Sequence, residues 1–445
     1  MPVMRQWQAE DDTGGRMMKL DSRIVAGASA LALCLTAGSA AGMGKKFGAP
    51  TEGMSVEEYQ SLVFLDPQNT VRMDWDAVRG MEGYFLIDNQ GEPTVSVVDY
   101  HKGETIRKLD MGETGNHHLW VIPGARYVWS SQRYESDTFW TIDLATMEVV
   151  DKFPLSMGDK KIIAPLHVGF AYTRPLAVVG NILDKENGYL TLMSTATRRP
   201  VEVIELSCHG ARDAMFTLDD SKIFTSCQQE PRGMAVVDVA SRKEIKMVEI
   251  PGGRAGAMTP DGKYFMVAGK GVIAVFDTET TELVKNIEVP GGGGNITCLA
   301  DSSKCYGGLR KAEAVAVLDM SDLTLKTVIE TGPDANRLYI NPANPRYGLF
   351  ANEGGKSDIV TIIDTQEDVA VKNIFTGLGP HNIAYNPGGT RAAITTKKEP
   401  VATLVDTSSA DPMDWDVVTT DLAAGIQNNG VRWVPRPEAL ATVLN

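Results

Sequence analysis

The chain has 445 residues, 43% of them hydrophobic and 22% charged, and a formal net charge of −14. That is enough apolar material for a large core, and no long polar tract marks the chain as disordered. An acidic surface of this kind repels phosphate backbones and anionic lipid, which excludes a general nucleic-acid binder.

Near the start, Lys19-Leu20-Asp21-Ser22-Arg23 precedes an apolar, small-residue run over 24–41. This is the layout of an export signal, with Ser39 and Ala41 suited to a cut before Gly42 and Met18 as a candidate start. The run is too rich in Ala and Gly, and barely long enough, to read as a membrane anchor. No stable membrane span is expected once the signal is removed, and the expected location is periplasmic or secreted. In the arm that follows, over 42–83, Ser55-Val56-Glu57-Glu58 reads as a capped helix start.

From residue 84 onward, short β-rich runs alternate with Pro/Gly/Asp turns. The first three runs are 84–87, 94–99 and 105–109. A step of apolar residues ending in Asp or Ser recurs at Asp99, Asp143, Ser194, Asp238, Asp277, Asp319, Asp364 and Asp406. A period of roughly 40 to 50 residues with about four strands per unit is the signature of a β-propeller. The first unit lacks an innermost strand, and the C-terminal run Asn428-Asn429-Gly430-Val431-Arg432-Trp433-Val434-Pro435 is an innermost strand without a unit. The fold class is therefore all-β, an eight-bladed propeller over 84–445, closed by pairing of the C-terminal strand with the N-terminal blade.

Beyond the signal run, Cys208, Cys227, Cys298 and Cys305 are an even set, as an oxidising compartment would give. Each pair falls on the arms of one hairpin and could be a disulfide. Four reduced, half-buried thiols are the alternative, and the spacing suits Zn poorly because there is no Cys-x-x-Cys.

Aligning the units on their turns, such as Asn386-Pro387-Gly388-Gly389 with Thr259-Pro260-Asp261-Gly262, brings one polar position into register. It is held by His117, His167, Arg212, Arg254, Asn295, Asn336, His381 and Asn429. At the start of the innermost strands these side chains form a ring at one channel mouth, with the three histidines on one arc and the two arginines broadly opposite. The imidazoles suit a metal or a proton, and the arginines suit an anion. His118 should point away from His117 and belong to the rim or to blade packing, by strand alternation. His209 is a weaker candidate for the same mouth, and His101 sits in an exposed turn. Asp213 and Asn382, next to ring residues, are candidates to orient them.

Segments such as Gly262-Lys263-Tyr264-Phe265-Met266-Val267-Ala268, leading to Ile273-Ala274-Val275-Phe276-Asp277-Thr278, resemble the YVTN-type propellers, and the likeness covers about 84–434. Within that group, the haem-binding eight-bladed domains of cytochrome nitrite reductases and their maturation proteins are similar in kind. The resemblance implies a haem-type tetrapyrrole over the channel, with His nearby and Arg on its carboxylates. Other relatives, such as nitrous oxide reductase and thiocyanate dehydrogenase, imply copper held by several histidines. This chain lacks the Cys-x-x-Cys-His of covalent haem attachment, so it carries no built-in electron-transfer domain.

The expectation is an exported propeller that binds an anionic prosthetic group or metal centre through His117, His167 and His381, with Arg212, Arg254, Asn295 and Asn336 completing the site. A redox or maturation partner protein would accompany it. The rivals are a non-catalytic scaffold for protein–protein interaction and a copper oxidoreductase that enlists His118 or His209.

Overall fold

Each repeat becomes a four-stranded antiparallel sheet, and eight such sheets make up the propeller. The computed structural model describes residues 44–65, 72–134 and 136–444. The expected signal over 1–41 lies outside the described residues. Blade 1 is assembled from Gly83–Asn89, Thr94–Asp99 and Glu104–Asp110 together with the C-terminal strand Asn428–Pro435. Blades 2 to 8 follow in chain order over 116–154, 165–206, 209–249, 256–292, 296–330, 335–375 and 380–422. Closure is by antiparallel pairing in which Gly83 faces Pro435 and Phe85 faces Trp433. The ring therefore has no open seam.

The recurring Asp or Ser at the end of each third strand has a local cause. Its side chain accepts a backbone N–H two or three residues on, as from Ala145 to Asp143 at 2.8 Å, Ser241 to Asp238 at 2.7 Å, Ser321 to Asp319 at 2.9 Å and Thr197 to Ser194 at 3.1 Å. This side-chain turn fixes the hairpin into the outermost strand. Outermost strands such as Thr324–Glu330 then alternate between exposed and covered residues. Innermost strands such as Asn116–Val121 and Pro165–Phe170 are buried throughout, because neighbouring blades cover both of their faces.

Between blades the filling is largely aromatic, as where Trp129 stacks on Phe170 at 6.1 Å and Phe224 meets Phe265 at 5.4 Å. The two expected disulfides, Cys208–Cys227 and Cys298–Cys305, are both formed, so the alternative of reduced thiols falls.

The arm is built into this body. Ser55 and Glu58 make the expected capping box at the head of the helix Val56–Ser61. That helix presents Tyr59, which is fully buried against Phe64 and packs in the same core as Trp120 and Trp129. Gly48 donates to the Gly124 carbonyl at 2.8 Å, and Gly124 donates to that of Val63 at 2.7 Å. These contacts fall on the turn that ends the innermost strand of blade 2, the opposite end of that strand from His117.

Candidate functional site

Four imidazoles gather at one end of the innermost strands. His117 and His118 lie 4.4 Å apart between ring centroids, His118 and His167 5.2 Å, His117 and His381 6.0 Å, and His118 and His381 6.1 Å. All four are at least nine-tenths buried. The ring alignment found three of them.

The expectation for His118 is overturned: it stands in the middle of the cluster. The reason is a bulge. Asn116 pairs with Gln132 and Leu119 with Ser130, so three steps on one strand oppose two on the other and the alternation of side chains breaks between them. The same irregularity occurs at Pro165/Val168, Ala211/Ala214, Ala335/Arg337 and Pro380/Ile383. Each lies where its blade carries His167, Arg212, Asn336 or His381.

Each imidazole except His118 has partners that orient it. Arg133 can only donate to His117 Nε2, at 3.2 Å, so Nδ1 carries the hydrogen and donates to Gln90 Oε1 at 2.8 Å. Asn429 Nδ2 donates to the same Gln90 oxygen at 2.5 Å. His167 Nδ1 meets Asp213 Oδ1 at 2.5 Å. Tyr339 donates to Asn382 Oδ1 at 2.8 Å, which turns the Asn382 amide nitrogen to His381 Nδ1 at 2.7 Å. His381 Nε2 is then left facing Glu353 Oε1 at 3.4 Å. His118 Nδ1 is buried with no hydrogen-bond partner. Asp213 and Asn382 thus hold histidines, as their positions in the sequence suggested.

Burial is the main reason that the imidazoles of His117, His118 and His381 titrate well below 6.5, and the neighbouring imidazoles and cations add to it. Burial also lowers His167, with Asp213 opposing the shift. All four are neutral at pH 7. Burial works against ionisation of Asp213 and Glu353 as well, yet Arg212 and His167 hold the first below the usual carboxylate range. Lys397, His381 and Arg310 do the same for the second.

The expected arginine arc is present. Arg212 donates to Asp213 at 3.2 Å and to Asn295 at 3.0 Å, so two of its N–H groups are held within the protein. Asn295 passes the chain on to Asn336 at 3.0 Å, and Arg310 reaches Asn336 at 3.3 Å and Glu353 at 2.8 Å. Lys397 also pairs with Glu353. Arg254 is different. Among the described residues its guanidinium bonds the carbonyl of Gly293, and no carboxylate pairs with it. Burial, then Arg212 and Arg310, press its pKa down to about 9.

His209 stands outside the cluster, beside Gln229 on the hairpin partner, and His101 is exposed, with its Nε2 2.9 Å from the Glu82 carboxylate. Among the described residues no group of three or more His, Cys, Asp or Glu side chains is placed to hold a metal ion as it stands. His117, His167 and His381 are gathered, each with its Nδ1 turned to a protein partner. A groove of about 690 Å³ lies along the outer strands of blades 4 and 5, lined by residues such as Ile250, Val272 and Val289, and contains no channel residue.

Sequence reasoning missed Gln90, Arg133, Arg310, Glu353 and Lys397. Each follows directly on the last residue of its blade's second strand, Asn89, Gln132, Leu309, Asn352 and Thr396. A second alignment, on the ends of those strands, would have found them as a ring facing the first.

No protein-family model matches this chain, and no curated protein matches its sequence. Solved structures share its fold. The dihydro-heme d1 dehydrogenase NirN, solved in complex with DHE, is 13% identical, with 89% of this chain and 83% of that chain covered and a TM-score of 0.61. Citrobacter koseri AztD is 12% identical over 80% of this chain and 98% of that one, with a TM-score of 0.58. Kuenenia stuttgartiensis hydrazine synthase is 18% identical over 68% and 97%, with a TM-score of 0.52. At these identities the likeness is one of fold, an eight-bladed propeller shared with NirN. No helix among the described residues is long and apolar enough to cross a membrane.

Proposed function

We propose that this chain is an exported propeller that holds an anionic, haem-like prosthetic group at the histidine-lined mouth of its channel. Its setting is redox metabolism or maturation of that cofactor, together with a redox or maturation partner protein. The observation that carries the reading is the pairing, in one mouth, of neutral buried imidazoles with a guanidinium that has no carboxylate.

The residues fit such a group. His118 offers a buried nitrogen without a protein partner, and Arg254 offers donors that an incoming carboxylate can take. His117, His167 and His381 are already oriented, which lowers the ordering cost of binding. The bound group would supply the redox chemistry, while the chain binds it, orients it and keeps the imidazoles neutral. The fold shared with NirN supports this choice of ligand class.

A second reading is favoured by His118 itself: a copper-type ion held directly by the imidazole quartet, with His118 Nδ1 as a nitrogen free to ligate.

Titration of the purified protein with hemin, followed at the Soret band, tests the first reading, and copper titration with metal analysis tests the second. A shifted Soret band that is lost in His117→Ala/His381→Ala and His118→Ala variants is expected. Protein purified from its native host with neither a chromophore nor more than trace metal would overturn both.

A further inference from the structure

We infer that the outer groove between blades 4 and 5 receives an extended segment of a partner protein, apolar along its length and basic at one end, which adds as a strand to the free edge of blade 5. The observations that carry it lie away from the channel mouth. The outermost strand of blade 5, Leu283–Gly292, has ten residues where those of the other blades have seven or eight. It is an edge strand, paired on one side only, with Lys270–Asp277. Leu283, Val284, Lys285 and Asn286 are exposed in succession, without the alternation seen in Thr324–Glu330. A long, exposed edge that carries Leu and Val is a template for another strand.

The groove of about 690 Å³ runs beside this edge. Phe276 pairs with Leu283, Ala274 with Asn286 and Val272 with Glu288; residues paired across two strands share a face, so these side chains form the blade 5 wall of the groove. Val248 and Ile250 face them from blade 4. Ala274 and Asn286 are small, which leaves the space between the walls open. At the end away from the mouth, Lys246 and Glu282 bridge the two blades as an ion pair at 2.7 Å. At the end nearer the mouth, Glu249 and Glu288 line the groove, with no cation in ion-pair distance of either among the described residues. Apolar side chains therefore suit the middle of the groove, and a Lys or Arg suits its open end. A second copy of this chain is a poor occupant, because two chains of net charge −14 repel each other. A basic segment is attracted by the same charge.

The test uses the full chain and fluorescein-labelled peptides of alternating valine and threonine, with a pair of lysines at one end or the other, followed by fluorescence anisotropy. At least one of the two should bind about tenfold or more tighter than its counterpart with glutamates for lysines, and the preference should shrink as salt is raised. Glu249→Gln and Glu288→Gln should each weaken the lysine peptide by about two- to fivefold and leave the glutamate peptide no weaker. Asn286→Trp, which fills the groove from an exposed position, should abolish binding, and melting curves check that all three variants fold. An added strand bonds through only one of its own edges, so N-methylation of alternate residues should abolish binding in one of the two possible patterns and spare it in the other. Loss in neither pattern or in both, equal binding of lysine and glutamate peptides, or binding that survives Asn286→Trp would overturn the proposal. So would failure of both lysine peptides to bind the folded wild type. Dimers that form without peptide and that Asn286→Trp dissolves would assign the groove to a second copy and overturn it as well.

Discussion

His167 of blade 3 and Asp213 of blade 4 meet across the blade interface, Nδ1 to Oδ1 at 2.5 Å, and the other carboxylate oxygen of Asp213 takes the Arg212 guanidinium and the Gly256 N–H. One buried carboxylate thus joins three consecutive blades at the channel mouth.

Asp213→Asn should therefore be costly. The variant leaves Arg212 buried without its counter-ion and His167 without a charged acceptor, and breaking a buried pair on one side costs about 3–5 kcal/mol. Denaturant unfolding of the two proteins under the same conditions measures it. A loss below about 1 kcal/mol would mean that Asn295 and the channel solvent satisfy Arg212 alone.

Acid should destabilise this protein from near-neutral pH. The folded imidazoles titrate below their unfolded value of 6.5, so the unfolded chain takes up protons first as the pH falls. The stability they contribute is fully present above pH 6.5 and is lost as the pH drops towards the folded values. Each imidazole that stays neutral contributes a slope of up to about 1.4 kcal/mol per pH unit. Urea midpoints at pH 7.5, 6.5 and 5.5 should fall in order, and His118→Gln should fall less steeply than wild type.

Gly124→Ala should undock the arm. Gly124 has φ +91°, and a Cβ there would stand 1.8 Å from the Gly48 carbonyl oxygen. Gly53, at φ +77° with nothing within 4 Å of its Cβ position, is the control for backbone strain alone, about 1–2 kcal/mol. Limited proteolysis should cut the arm in Gly124→Ala and spare it in Gly53→Ala.

Ending the chain at Gln427 should open the ring. The strand Gly83–Asn89 then becomes an unpaired edge, which invites association with other copies. Size-exclusion chromatography is expected to show aggregation, and a monomer that unfolds like wild type would argue against closure as the source of stability.

Much of this molecule was legible in the sequence because its repeat is carried by local chemistry. Asp143, Asp238 and Asp319 recur because each closes a turn with its own side chain, and such spacing survives whatever packs around it. The first ring was legible for the same reason, since Pro/Gly turns fix where each innermost strand begins. His118 was not, because a bulge overrides the alternation on which its placement depended, and a bulge here has no composition that marks it. Arg212 was placed in the right ring, but its pairing with Asp213 was not read. Its neutralisation by Asp213 depends on the carboxylate turning back towards it, which spacing along the chain does not reveal. Gln90, Arg133, Arg310, Glu353 and Lys397 lie just past strand ends, where charged residues ordinarily read as solvated loop.

The last strand does more than seal the circle. Asn429 sits on it and bonds Gln90, the residue that orients His117, and its carbonyl lies 3.4 Å from His381. The setting of His117 and His381 therefore depends on ring closure: until Asn428–Pro435 pairs with Gly83–Asn89, Gln90 and His381 lack these partners.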